Sequence, residues 1–87
     1  MKVVISDRAE KELRKLSKIN QIAVAKKIRD IAAQKSHLHG KLQGYKDVYR
    51  VRIGNHRIVY RVFPNKLYII LIGHRREIYR LLKQFFN

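Results

Sequence analysis

The fold is decided by residues 48–62, which read VYRVRIGNHRIVYRV. Apolar and basic side chains alternate with a period of two on both sides of Gly54-Asn55, which is the spacing of half-buried β-strands. The glycine of this two-residue connection supplies the positive φ that a tight hairpin turn needs at its first position. The sequence therefore predicts an antiparallel hairpin with one apolar face and one basic face. The basic side chains are those of Arg50, Arg52, Arg57 and Arg61.

The segments that flank the hairpin complete a small sheet. After a turn at Pro64, residues 67–73 form a strand that is apolar on both faces and is therefore expected in the middle of the sheet. Before the hairpin, residues 36–44 contain glycines and histidines without a steady period, which predicts a connection that places Leu38 or Leu42 in the core.

Helical patterns occupy the rest of the chain. Residues 2–5 predict a first strand, and Asp7 and Glu10 have the spacing of an N-cap and an N3 residue for a helix that runs to about residue 17. A second helix is expected over residues 20–34, and a short last helix near Arg75. The inner side of that last helix is predicted to be Ile78, Leu81, Leu82 and Phe85.

The predicted fold is therefore α+β, in the order β-α-α-β-β-β-α. A small, twisted and mainly antiparallel sheet packs on a helical hairpin, and a short C-terminal helix completes one domain over residues 1–87.

The charge balance indicates a polyanionic partner. The 87 residues include 21 Lys and Arg but only 6 Asp and Glu, a net charge of +15 that repels itself and adds nothing to a core. A surface stabilised by ion-pair networks would need comparable numbers of acids and bases, so the expected partner is nucleic acid. Cysteine is absent and no apolar run approaches the roughly 20 residues of a membrane span, which predicts a cytoplasmic protein.

The basic face of the hairpin has the chemistry of a phosphate-binding surface. Guanidinium groups are planar, permanently charged and able to bind phosphate through two hydrogen bonds. A solvated polar face is the simpler alternative, but several like charges close together on one hairpin repel each other. We expect binding to RNA that weakens steeply with salt.

A second group of polar residues follows the central strand. His74, Arg75 and Tyr79 lie where the sheet meets the last helix. RNA is cut without a metal when a base takes the proton of the 2′-hydroxyl, cations stabilise the pentavalent phosphate and an acid protonates the leaving 5′-oxygen. These residue types are sufficient for that reaction, and we predict no metal or cofactor. The pair His37 and His39 lacks the carboxylate or cysteine companions of a metal site.

The sequence resembles the RelE/ParE toxin superfamily, and the RelE branch fits best. The resemblance is carried by KLQG at 41–44, YRVRIGNHRIVY at 49–60 and GHR at 73–75 followed by Tyr79, and it covers the chain in element order. It implies a ribosome-dependent endonuclease that cuts mRNA in the ribosomal A site and is held silent by a cognate antitoxin, expected to be acidic.

The resemblance also assigns roles to residues. Arg57, Arg75 and Tyr79 match functional residues of the family, whereas Arg50 and Arg52 stand where its best-known toxins have lysines. An arginine stays protonated, so these two are expected to hold phosphate, and the proton of the 2′-hydroxyl is expected to pass to His74, with Tyr79 as the alternative acceptor. Arg57 is expected on the phosphate and Arg75 on the leaving oxygen. The predicted catalytic residues are Arg50, Arg52, Arg57, His74, Arg75 and Tyr79.

Further basic residues are expected to contact RNA, including ribosomal RNA along the second helix: Lys26, Lys27, Lys46, Arg61 and Arg76. Two other functions remain open from the sequence. A ParE-like toxin shares the fold but inhibits DNA gyrase, and a module that binds RNA without cutting it would tolerate the replaced lysines.

Overall fold

In the part of the chain that the structure describes, three helices pack on a four-stranded sheet in the predicted order. The computed structural model describes residues 1–33 and 40–86. Its elements are β1 (Lys2–Ile5), α1 (Asp7–Lys15), α2 (Lys18–Ala32), β2 (Val48–Ile53), β3 (His56–Phe63), β4 (Lys66–His74) and α3 (Ile78–Phe86). The predicted α+β class and the β-α-α-β-β-β-α order are confirmed. The predicted positions of Leu38, His37 and His39 lie outside the described residues.

The sheet has the strand order β1-β4-β3-β2. The strands β2 and β3 form the predicted antiparallel hairpin, and Gly54 at its turn has a φ of 56°. β4 is antiparallel to β3 and parallel to β1, so it lies in the interior of the sheet as expected from its apolar run. β2 and β1 are therefore the two edge strands.

Apolar side chains fill both faces of the sheet. On one face, called the helix-pair face, buried residues of α1 and α2 such as Ala9 and Ile28 pack on strand residues such as Ile58 and Ile72. On the opposite face, called the α3 face, α3 packs on a second set of buried residues. That set consists of Val48, Val59, Ile70, Leu71, Ile78, Leu81 and Leu82. The hairpin is thus held between two cores.

A β-bulge in β4 changes which face its last residues occupy. Val59 pairs with Leu71 but Tyr60 pairs with Ile69, so Ile70 is one extra residue in the strand. Ile70 and Leu71 consequently both face α3, whereas Ile69 and Ile72 belong to the other core.

The same bulge residue explains how α1 begins. The predicted N-cap Asp7 is wrong, since Asp7 is the first helical residue and Ser6 is the cap. The Ser6 hydroxyl accepts a hydrogen bond from the Ala9 N–H at 3.0 Å and donates one to the Ile70 carbonyl at 2.6 Å. Since a bulge disrupts the ladder locally, one short side chain here serves both the helix start and the irregular strand.

The last helix begins later than expected, because residues 75–77 form a turn. Ile78, Leu81 and Leu82 are buried as predicted, but Phe85 is 43% exposed. Phe86 makes the core contact instead, with its ring centroid 4.6 Å from that of Tyr45. Leu42 packs against the same core, as expected of it. No helix in the described part of the chain is long and apolar enough to cross a membrane.

Candidate functional site

Three arginines share the α3 face of the hairpin, beyond the part that α3 covers. Arg50 and Arg52 alternate with Val51, which faces the helix pair, and Arg52 lies directly opposite Arg57 in the register of β2 and β3. The prediction that the hairpin has a basic face is met at this end. At its other end Arg61 lies on the same face, directly opposite Val48, and Val48 and Val59 lie under α3.

Arg57 is at the centre of this charge. Desolvation and then repulsion from Arg52, Arg50 and Arg75 lower the pKa of Arg57 from its usual value. Its Nη1 donates hydrogen bonds to the carbonyls of Gly54 at 3.1 Å and His56 at 3.0 Å, which fixes the guanidinium beside the turn. The group remains cationic at neutral pH, and its like-charged neighbours favour the approach of an anion.

No carboxylate in the described part of the chain forms an ion pair with these arginines. The ion pairs between described residues join Arg14 to Glu10 and Lys15 to Glu12, all within α1. The arginine charges are therefore available to a ligand.

Arg50 joins the hairpin to the start of α3. Its Nη1 donates a hydrogen bond to the Tyr79 hydroxyl, and its Cζ lies 5.7 Å from the centroid of the Tyr79 ring. Its Nε is buried and has no hydrogen-bond partner among the described residues. Because the Tyr79 oxygen accepts this bond, its own proton stays free to be donated to a ligand, and the side chain is 50% exposed.

Gly40 is a part of this arrangement that the sequence analysis did not single out. Its carbonyl accepts the Arg50 backbone N–H at 3.0 Å, and its φ is 29°. A Cβ added at Gly40 would lie 3.2 Å from the Arg50 carbonyl oxygen and 3.6 Å from Arg50 Nη2. In the sequence Gly40 appears as a glycine in an aperiodic segment. That pattern does not show that Gly40 leaves room for the Arg50 side chain.

His74 lies on the opposite face from the arginines. It pairs with His56 in the register of β3 and β4, and the two imidazole centroids are 6.0 Å apart on the helix-pair face. Its Nδ1 accepts the Arg76 N–H at 3.2 Å. The bulge causes this placement, because it shifts the alternation of every later residue of β4 by one. This position argues against His74 as the base. The catalytic role of His74 stays a prediction.

Arg75 and Arg76 lie in the exposed turn before α3. The Arg75 N–H donates to the Asn55 carbonyl at 2.8 Å, so the turn is held against the hairpin connection. Arg75 also lies close enough to Arg57 to lower its pKa. The structure therefore brings five predicted residues together, and they are Arg50, Arg52, Arg57, Arg75 and Tyr79.

The remaining predicted RNA-binding residues lie in two other places. The Arg61 Nε donates to the Lys46 carbonyl at 3.1 Å. Arg61 is four residues along β3 from Arg57, which is about 13 Å in an extended strand. Lys26 and Lys27 lie on α2, near the edge strand β2, where both line a cavity with Arg52. Among the described residues, no group of three His, Cys, Asp or Glu side chains could hold a metal ion.

Solved structures with the same fold are toxins. The isolated E. coli RelE toxin is 25% identical with a TM-score of 0.75, and the match covers 99% of this chain and 98% of RelE. A chain of the intact E. coli RelBE toxin-antitoxin complex is 26% identical with a TM-score of 0.75, over 84% of this chain and 94% of that chain. A chain of the archaeal RelE-RelB complex from Pyrococcus horikoshii is 26% identical with a TM-score of 0.68, over 85% of this chain and 93% of that chain.

Sequence comparison gives the family directly. No curated protein matches the sequence of this chain. The model of the family described as the ParE toxin of the type II toxin-antitoxin system parDE matches residues 3–79, which include β2, β1 except for Lys2, and Tyr79. The chain therefore belongs to the ParE toxin family of type II toxin-antitoxin systems, within the RelE/ParE superfamily.

Proposed function

We propose that this toxin is a ribosome-dependent endoribonuclease that cuts mRNA in the A site and so inhibits translation. The observation that carries the proposal is the crowding of arginines on the hairpin, where Arg52 lies directly opposite Arg57 and where Arg50 and Arg75 are also close enough to act on the Arg57 guanidinium. Such crowding of cations destabilises the free protein and is relieved when a phosphate binds, which favours an anionic substrate.

The arginines act on the phosphate. Arg57 and Arg52, opposite each other on the hairpin, bind the non-bridging oxygens of one phosphodiester, where charge increases as the 2′-oxygen attacks phosphorus. Preorganised cations of this kind stabilise the pentavalent transition state more than the ground state. Arg75, which approaches from the turn before α3, stabilises the charge on the leaving 5′-oxygen.

Tyr79 supplies the proton in this mechanism. The 2′-oxygen forms a bond to phosphorus, the bond from phosphorus to the 5′-oxygen breaks, and the Tyr79 hydroxyl protonates that oxygen. The resulting phenolate is stabilised by the hydrogen bond that Arg50 already donates to it. The 2′-hydroxyl proton passes to solvent, which later restores the Tyr79 proton. The products are a 2′,3′-cyclic phosphate and a 5′-hydroxyl, and no metal takes part.

The cognate antitoxin is proposed to be an acidic protein that covers the arginine face or displaces α3. Structures similar to this chain were solved as complexes of RelE with RelB antitoxins, which supports a protein partner of that type. Opposite charge would speed the association and block access of mRNA. Action on ribosomes and mRNA would place the protein in the cytoplasm.

Inhibition of DNA gyrase is the second candidate, because the matching family model is described as a ParE toxin. Such a toxin needs no nucleolytic residues, so it leaves the crowding of arginines beside Tyr79 without a role.

One experiment separates these functions. Purified toxin is added to a translating extract and the mRNA ends are mapped by primer extension, with Arg57→Ala as the test variant. The matched control is Arg8→Ala, which removes an exposed arginine of α1. We expect cuts at codon spacing that Arg8→Ala keeps and Arg57→Ala reduces about 10²- to 10³-fold, as for the loss of one transition-state donor.

Other outcomes would redirect the assignment. Intact messages together with arrested DNA gyrase would establish the ParE activity instead. RNA binding without cleavage or gyrase arrest would identify a silent RNA-binding module.

A further inference from the structure

A groove runs from the arginine face around the edge strand β2 to α2. Its first part is a cavity of about 250 Å³ lined by Lys27, Gly40, Arg50, Val51 and Arg52. Its second part is a cavity of about 280 Å³ lined by Ala23, Lys26, Lys27, Asp30, Arg52 and Ile53. Both parts share Lys27 and Arg52, so they are adjacent. This surface is called the edge groove below.

The edge groove is strongly basic. Of the lining residues that the structure describes, four are cations and only Asp30 is acidic. None of these charged groups forms an ion pair with another described residue, since the ion pairs in the described part of the chain all lie in α1. Lys26 and Arg52 are also exposed. Cations that are left unpaired along one depression favour a polyanion that follows it.

The lining residues also indicate which part of a nucleic acid fits. Among the described residues that line the two cavities there is no aromatic side chain on which a base could stack. A positively charged groove follows the backbone of a single strand, whereas stacking platforms hold its bases. Contacts here would therefore be made to phosphates and would not depend on sequence.

Arg52 connects this groove to the candidate site. It lies opposite Arg57 in the hairpin, and it lines both parts of the edge groove. A strand whose phosphate is bound at Arg57 thus enters the groove after passing Arg52. We infer that the edge groove binds the phosphates that flank the cleaved bond in the same RNA strand, with Lys26 and Lys27 as its contacts.

This inference rests on the proposed function, since it takes single-stranded RNA as the substrate. The probes are 2′-O-methylated oligouridines of ten and three nucleotides, which have no hydroxyl to attack phosphorus. Their binding to the whole protein is measured by fluorescence anisotropy over a range of KCl concentrations. The test variant is Lys26→Gln/Lys27→Gln, and the control is Lys11→Gln/Lys18→Gln, which removes the same charge from exposed positions of the helical pair.

Two lost phosphate contacts should reduce the slope of log affinity against log salt by about 1.4 for a single strand. We expect that reduction for the ten-nucleotide RNA with the groove variant only, and equal binding of the three-nucleotide RNA by both variants. Equal slopes for the two variants would overturn the inference. So would a groove variant that binds RNA normally but loses cleavage only on ribosomes, because the lysines would then contact ribosomal RNA.

The experiment distinguishes a failure of the proposed function from a failure of the edge groove alone. If the wild-type protein binds neither oligonucleotide and leaves mRNA intact on ribosomes, both the proposed function and the edge groove are refuted. If it cuts mRNA while the groove variant binds and cuts like the control, only the groove is refuted. Melting temperatures of both variants verify that each is folded.

Discussion

The contact between Arg50 and Tyr79 makes a quantitative prediction about Tyr79→Phe. The substitution removes the proton that the proposed mechanism gives to the leaving oxygen and also the acceptor of the Arg50 hydrogen bond. A positioned general acid contributes about 10²- to 10⁴-fold to a rate. At 1.36 kcal/mol for each tenfold change, the activation free energy should rise by about 3 to 5 kcal/mol.

The same change should alter stability much less. The Tyr79 side chain is 50% exposed, so water can replace the lost hydrogen bond, and the free energy of unfolding should fall by no more than about 1 kcal/mol. For a domain of this size that corresponds to roughly 4 to 8 °C in the melting temperature. The measurements are single-turnover cleavage of mRNA on ribosomes and thermal melting. Tyr45→Phe is the control, because its ring packs against α3 at Phe86.

A double-mutant cycle tests how Arg50 acts. A hydrogen bond to a charged group contributes about 1.5 to 3 kcal/mol, so Arg50→Gln alone should slow cleavage roughly 10- to 100-fold. If Arg50 works by stabilising the Tyr79 phenolate, Arg50→Gln should slow Tyr79→Phe no further. Additive losses would mean that Arg50 binds the phosphate itself. Cleavage by Tyr79→Phe within threefold of wild type would refute Tyr79 as the proton donor.

Two further predictions concern the packing that supports the site. Gly73→Ala should destabilise the protein by about 1 to 3 kcal/mol in urea melts, because the added Cβ would lie 3.3 Å from Ile78 Cδ1; an unchanged midpoint would contradict this packing of α3. Ser6→Ala should lower the free energy of unfolding by about 1 to 2 kcal/mol. This loss should exceed that of Ser17→Ala, because Ser6 also donates to the Ile70 carbonyl, whereas Ser17 caps α2 through an exposed hydrogen bond of 3.3 Å. Equal losses would exclude a role for the second bond of Ser6.

The arginine end of the hairpin was predictable from sequence because its two faces meet different surroundings. Polar and apolar residues alternate wherever one face is covered and the other is open, so Arg50 and Arg52 could be assigned to one face without a structure. The same pattern predicted that Arg57 lies beside them. The structure confirms the shared face, and the charges of its neighbours act on Arg57 as expected of close arginines.

The position of His74 was not predictable in that way. The run from Leu67 to Ile72 is apolar throughout, since both of its faces are buried, and an unbroken run carries no signal of an extra residue. The bulge at Ile70 therefore left no trace in the hydrophobic pattern, although it determines which face His74 occupies. Tyr79 also follows the bulge in the sequence, but it belongs to α3. Its position is determined by the apolar period of that helix and not by the alternation of β4.

Rigid packing explains why the arginines stay close together despite their repulsion. On one face of the hairpin Val51 and Ile58 are buried against the helix pair, and on the other Val48 and Val59 are buried against α3. A strand packed from both sides cannot bend away without exposing apolar surface, at a cost of about 25 cal/mol for each Å². The repulsion is therefore relieved by binding an anion more readily than by moving the backbone. RNA and an acidic antitoxin would then compete for the same unpaired charges, so that occupation by one excludes the other.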